Sequence, residues 1–154
     1  MGRMSPEDLP PGHKYAIDTV TFIYFLERHS SHYQTAKRFF QRLEQGDFSA
    51  VMSSLVFTEL LVPAYREKDP KRAEELIRIL TNFPNMEVVN LSPEISAEAA
   101  RLRVLYQVHT PDAIHAATAI KSKAHGIITN DNDFLKLKDC LEIWLFDPDQ
   151  GPGC

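Results

Sequence analysis

Apolar residues recur at i, i+3, i+4 and i+7 in three segments, Ala36/Phe39/Phe40/Leu43, Ala73/Leu76/Ile77/Leu80 and Ala113/Ala116/Ala117/Ile120. That spacing gathers them on one face of a helix, so each segment is predicted to be an amphipathic helix. A fourth set, Ile95/Ala99/Leu102/Tyr106, follows Ser92-Pro93, a capping hydroxyl and a proline at the first helical position, which marks its start. Between the helices lie short apolar runs at Tyr15–Ile17, Ala50–Met52, Val88–Val89, Ile127–Ile128 and Ile143–Phe146. Runs this short and this apolar leave no wet face. Their alternation with helices predicts an α/β fold, a small and mostly parallel β-sheet sandwiched between α-helices. In such sheets ligands bind beyond the carboxyl ends of the strands, so the turns after the strands are where chemistry is expected.

Composition bounds this reading without redirecting it. The chain has 154 residues, 44% hydrophobic and 25% charged, which suits one domain able to bury about 70% of its unfolded surface. Proline and polar residues dominate 1–13 and 147–154, expected as a flexible lead-in and a flexible tail around a single domain at 14–146. No uncharged apolar run approaches the roughly 18 residues that a membrane helix needs. Acids and prolines stand where a secretory signal would carry its apolar core, so a cytoplasmic protein with no membrane contact is expected. The two cysteines, Cys140 and Cys154, fall at no metal-binding spacing. A net charge of −4 at first argues against a nucleic-acid partner, but carboxylates gathered around two divalent cations would cancel it.

The acids decide what chemistry to look for. Asp18 ends the first strand run and precedes the apolar segment Val20–Leu26; a helix N-cap worth about 1 kcal/mol is explanation enough for it alone. Glu59 is followed by Leu60-Leu61-Val62, and helical spacing sets it beside Val56 and Pro63, either as a snorkelling surface side chain or as a partly buried acid in need of a partner. Asp112 falls in the first turn of the third amphipathic helix, with Thr110 as cap and Pro111 at the first position, where the helix dipole favours an anion by about 0.3–1 kcal/mol. The small residues Ala113, Ala116 and Ala117 let that helix press on the sheet and carry Asp112 toward the strand ends. Asp131 and Asp133 follow the fourth strand run in an Asn/Asp string that an Asx turn explains. An EF-hand is excluded by Lys136, which stands where that loop requires glycine. Four acids at strand ends in one architecture are harder to explain singly. At an effective dielectric near 20, two carboxylates about 4 Å apart repel by roughly 4 kcal/mol, so a cluster must take up protons or cations. All-oxygen ligands favour Mg²⁺ or Mn²⁺.

Taken in chain order, the fragments Ala16-Ile-Asp18-Thr, Ser54-Leu-Val-Phe-Thr-Glu59-Leu, Thr110-Pro-Asp112-Ala-Ile-His-Ala-Ala117 and Ile128-Thr-Asn-Asp131-Asn-Asp-Phe134 resemble the PIN-domain family of metal-dependent nucleases, most of all its VapC-type toxin ribonucleases. The resemblance covers nearly the whole core. It implies a single PIN-like domain in which Asp18, Glu59, Asp112 and Asp131 are both the catalytic set and the metal ligands, Asp133 is a candidate outer ligand, and Thr129 orients water or phosphate. It also implies Mg²⁺ or Mn²⁺ as cofactor, and hydrolysis of RNA phosphodiesters by metal-activated water that leaves 5′-phosphate and 3′-hydroxyl ends. The implied partners are a single-stranded or structured RNA substrate, a small antitoxin and a second copy of the chain. One departure stands out: after the first Asp and Thr the family commonly has a small polar residue, often Asn, whereas here Val20 is followed by Thr21.

Four intact acids argue against the alternative, a catalytically silent PIN-like scaffold for RNA or protein, because a silent relative has no need to maintain their repulsion. An aspartyl phosphatase is disfavoured, since Phe134-Leu135 follow Asp131-x-Asp133 with no hydroxyl at the needed spacing. His115, one turn after Asp112, is left out of the site because lone histidines are usually structural or surface residues. His13, His29, His32, His109 and His125 have no partner at metal spacing and are expected at the surface. Arg66, Lys68, Lys71 and Arg72 form a basic stretch that suits RNA phosphates or, equally, a solvated turn.

Overall fold

Parallel strands need crossover connections, and the predicted helices supply them. The computed structural model describes residues 3–4 and 8–146; the expected tail, 147–154, lies outside the described residues. Its strands are β1 (Arg3–Met4), β2 (Lys14–Ile17), β3 (Ser49–Ser53), β4 (Met86–Val89), β5 (Gly126–Thr129) and β6 (Glu142–Phe146). They form one six-stranded sheet in the order β1-β6-β5-β2-β3-β4, every pair parallel. The helices are α1 (Thr19–Leu26), α2 (Tyr33–Gln45), α3 (Leu55–Leu60), α4 (Val62–Arg66), α5 (Pro70–Thr81), α6 (Pro93–Tyr106) and α7 (Thr110–Lys121), with a 3-10 helix at Asn132–Leu137. Among the described residues no helix is long and apolar enough to cross a membrane.

Successive strand residues point to opposite faces, and both faces are dry. Tyr15, Ile17, Ala50, Met52, Ile128 and Phe146 pack with the aromatic faces of α1 and α2, while Ala16, Val51, Ile127, Ile143 and Leu145 pack with α6 and α7. This two-sided burial is why the strands read as continuous apolar runs. The stripe residues are buried, or half-buried at Tyr106 and Ile120, where the periodicity puts them, except Ile77, which is 39% exposed on α5. In α7, Ala113, Ala116, Ala117 and Ala119 are fully buried, so this helix lies close over β2, β3 and β5.

From β2 the chain winds outward through β3 to β4, then returns to the other side of β2 for β5 and β6. The carboxyl ends of β2 and β5 therefore flank the point where the winding reverses, the usual location of a ligand crevice in open α/β sheets. Asp18 follows β2 directly, and Asn130 and Asp131 follow β5.

Local details adjust the sequence expectations. Thr110 does not cap α7: it is the first helical residue, and His109 occupies the N-cap with no side-chain hydrogen bond. Ser92 does cap α6, accepting from the Ile95 amide at 3.1 Å. Glu59 does not share a helix with Pro63, because α3 ends at Leu60 and Pro63 is the second residue of α4. Within the stretch expected as a lead-in, Arg3–Met4 pair with β6, Leu9 is buried, and the Gly12 amide donates to the Asp47 carbonyl at 2.8 Å.

At Gly126, β5 and β6 leave no room for a side chain. A Cβ there would meet the Glu142 carbonyl oxygen at 2.7 Å and the Glu142 Cβ at 2.9 Å, and neither can move without breaking the β5–β6 ladder. Gly126→Ala is expected to destabilise by about 1–3 kcal/mol, the usual cost of overpacking. Thermal unfolding checks this, with a fall of roughly 2–4 °C in Tm expected for each kcal/mol in a domain of this size.

Candidate metal centre

Asp18 and Asp131 follow strand ends that the sheet topology brings together, Asp112 comes from the first turn of α7, and Glu59 comes from the short helix after β3. Asp18, Glu59, Asp112 and Asp131 all line one cavity of about 560 Å³, together with Thr19, Val20, Ile23, Tyr24, Asn130 and Asn132. Asp18 does act as the N-cap of α1, its Oδ1 accepting from the Thr19 amide at 2.7 Å, and it is only 9% exposed. Its Oδ2 accepts from the Thr129 hydroxyl at 2.8 Å. That same hydroxyl oxygen accepts from the Asp131 amide at 3.1 Å, so Thr129, fully buried, ties Asp18 to the turn that carries Asp131. Asp131 in turn caps the 3-10 helix by accepting from the Asp133 amide at 2.9 Å. The capping and turn roles expected of these acids are thus real, and the same geometry aims them at the cavity.

Glu59 reaches the site from α3. Its Oε1 accepts from the Thr19 hydroxyl at 2.6 Å and lies 2.9 Å from His115 Nε2; His115 Nε2 is also 3.5 Å from Asp18 Oδ1. The sequence reading passed over His115. The available signal was its place, one turn after Asp112 in a helix whose following residues Ala116 to Ala119 are all small enough to be buried. Asp133 does not line the cavity. One ligand atom each from His109, Asp112 and Asp133 lie within 4.8 Å of one another at its rim, the one such trio among the described residues; the four expected acids stand at wider spacing. His109 is exposed as expected, yet it has metal-spaced neighbours that its sequence position did not reveal.

Electrostatics follow from this placement. Burial raises the Asp18 carboxyl above its ordinary range, against the opposing pull of His115 and the hydrogen bonds from Thr129 and Thr19. Asp112 is pushed up to about 6, by burial first and then by the charges of Asp131 and Asp18. Glu59 goes the other way, lowered mainly by its hydrogen bond with His115. The cavity therefore holds carboxylates that resist ionising together, and a divalent cation among them would relieve that repulsion. The four carboxylates offer only oxygen donors, which suit a hard cation, so these acids fit Mg²⁺ or Mn²⁺.

Part of the cavity lining is apolar. Val20 stands where the resembled family commonly has a polar residue, and with Ile23 and Tyr24 it lines the cavity. Asn130 Nδ2 donates to the Tyr24 hydroxyl at 2.8 Å, bracing the β5 turn against α1. His32, expected at the surface, is instead buried and stacks on Tyr24 with ring centroids 4.5 Å apart. His13 is half-buried and stacks on His125 at 4.0 Å, at the opposite end of the strands.

Asp112 gives a pH signature. Its carboxyl binds a proton more tightly folded than unfolded, so its contribution to stability is complete below about pH 4 and is lost as pH rises through about 6. In metal-free protein, Asp112→Asn is expected to match wild type near pH 4 and to exceed it at pH 7 by about 2–4 °C in Tm, roughly 1 kcal/mol after solvent screening of a half-exposed group. Melting curves of both proteins across that range, in chelator, measure the difference.

The PIN-domain family model matches residues 15–139. No curated protein sequence matches the chain. Among solved structures, a toxin–antitoxin complex from Klebsiella pneumoniae is 25% identical, with a TM-score of 0.59 over 78% of this chain and 89% of that one. VapBC2 from Rickettsia felis, bound to a DNA fragment from its promoter, is 19% identical with a TM-score of 0.68, covering 87% of this chain and 99% of that one. VapC20 from Mycobacterium tuberculosis, a sarcin–ricin loop cleaving toxin, is 18% identical with a TM-score of 0.61 over 79% and 92% of the two chains. A match that spans the sheet from β2 through the 3-10 helix, on a fold shared with VapC structures, places the chain: it belongs to the PIN-domain family and is VapC-like in fold.

Proposed function

We propose that this protein is a Mg²⁺- or Mn²⁺-dependent endoribonuclease that hydrolyses RNA phosphodiester bonds, and that it is the toxin of a toxin–antitoxin pair. The observation that carries this is the meeting of Asp18, Glu59, Asp112 and Asp131 around one cavity at the switch point of the sheet, with Asp112 pushed up to about 6 by burial and then by the charges of Asp131 and Asp18. In this reading those four are the metal ligands. When bound, divalent cations supply the charge that offsets the carboxylates and the Lewis acidity that activates water for in-line displacement at phosphorus. The chain's own residues do the rest. Thr129 and the Thr19 amide fix both oxygens of Asp18, and the Asn130 bond to Tyr24 holds the Asp131 turn. Val20 and Ile23 add an apolar patch to the cavity lining. Asp133, with His109 and Asp112, forms an outer acidic rim. Thr129 acts on substrate through Asp18, because its hydroxyl is already shared between the two acids.

The relatives support this reading: one solved neighbour is a sarcin–ricin loop cleaving toxin and another is a toxin–antitoxin complex. The partners are then single-stranded or structured RNA, a small antitoxin and a second copy of this chain, all in the cytoplasm. Arg66, Lys68, Lys71 and Arg72 are all exposed and available to RNA phosphates. Val104, 80% exposed, and Leu105 beside it on α6 supply apolar surface for a protein contact.

Cleavage of end-labelled single-stranded RNA in Mg²⁺, Mn²⁺ or EDTA tests the proposal. The expected result is metal-dependent cleavage that leaves 5′-phosphate and 3′-hydroxyl ends. Asp18→Asn should lower it by more than about 100-fold, beyond the 10–100-fold range typical of residues that only support a ligand. Metal binding by calorimetry without cleavage of any RNA offered would favour the silent scaffold instead.

A further inference from the structure

His115 lies outside the acid set, yet it is more deeply buried than any of the four acids, at 2% exposure. Its Nε2 sits 2.9 Å from Glu59 Oε1, and its Nδ1 is buried with no hydrogen-bond partner among the described residues. A carboxylate oxygen only accepts, so Nε2 must carry the hydrogen. Nδ1 is left over, and a buried polar atom without a partner lowers stability. Leucine at this position, in a helix whose neighbours are alanines packed on the sheet, would carry no such cost. Folding alone therefore gives no reason for an imidazole here.

Glu59 gives the reason. It extends from α3, a helix of six residues, and its side chain is 37% exposed, so an unrestrained carboxylate would sample many rotamers. Two donors, the Thr19 hydroxyl at 2.6 Å and His115 Nε2 at 2.9 Å, converge on the same oxygen, Oε1. That leaves Oε2 for the cavity that Glu59 lines. Resting on the metal-centre reading above, we propose that His115 is a positioning residue: its Nε2–H, with the Thr19 hydroxyl, clamps Glu59 Oε1 so that Oε2 is presented to a divalent cation. Outer partners of this kind govern how well a ligand binds metal even though they never touch it.

The test is Mn²⁺ calorimetry on the full chain and on His115→Leu, His115→Gln, Glu59→Ala and the His115→Leu/Glu59→Ala double variant, with melting curves of each in chelator. His115→Leu should weaken Mn²⁺ binding about 10–100-fold while its metal-free melting midpoint equals or exceeds that of wild type. His115→Gln, whose amide nitrogen can donate to Glu59, should recover much of the affinity. In the Glu59→Ala background, His115→Leu should change nothing further. Unchanged Mn²⁺ affinity in His115→Leu, or the same loss with Glu59 already removed, overturns the clamp while leaving the metal centre standing. A wild-type protein that binds no Mn²⁺ overturns the metal centre itself, and this inference with it. Nitrogen NMR of the metal-free protein adds a check independent of the ion: Nε2 of His115 should be protonated, and an unprotonated Nε2 overturns the clamp.

Discussion

Like charges held close together in a partly desolvated cleft are the constraint around which this structure is built. Asp18, Asp112 and Asp131 repel one another there when ionised, the more so because the medium is only partly aqueous. Burial raises the carboxyls of Asp18 and Asp112, and the charges of Asp131 and Asp18 raise that of Asp112 further. Hydrogen bonds from Thr19, Thr129 and His115 offset part of it. A divalent cation bound among the carboxylates would relieve the remaining repulsion, which is what the proposed metal centre requires.

The sheet creates the conflict by ordinary folding rules. Parallel strands buried on both faces require helical crossovers, and winding outward from β2 in both directions leaves a crevice between the carboxyl ends of β2 and β5. Asp18 and Asp131 occupy those ends because acids make good caps and Asx turns. Asp112 arrives because α7 is lined with alanines that let it lie close to the strands. Each acid thus has a local reason to be where it is, and only the topology makes their positions a shared site.

The polar groups beneath the cleft are arranged at some expense to packing. Thr129 is fully buried in β5, where an isoleucine would extend the apolar run of Ile127 and Ile128, yet its hydroxyl joins Asp18 to the Asp131 turn. His115 leaves a buried Nδ1 without a hydrogen-bond partner among the described residues. A core optimised for stability alone would replace both with apolar side chains. Their presence next to the acids fits a domain in which part of the stability is given up to hold a reactive geometry.

The sequence by itself determined the layers and the acids. Helical periodicity located α2, α5, α6 and α7, and unbroken apolar runs located β2 to β6, because burial on one stripe or on two faces leaves a direct trace in residue order. The four acids were legible because charged residues at strand ends, between apolar segments, are chemically out of place. What only the tertiary structure decided depends on contacts between residues far apart in the chain. Thr19 and His115 meet at Glu59 across three elements, Asp133 pairs with His109 and Asp112 at the rim, and His32 is drawn under Tyr24. Nothing in the residues next to His115 distinguishes a satisfied core histidine from one that holds a carboxylate. The difference lies in where α3 delivers Glu59, and that is set by how two short helices pack after β3, which no periodicity along the chain encodes.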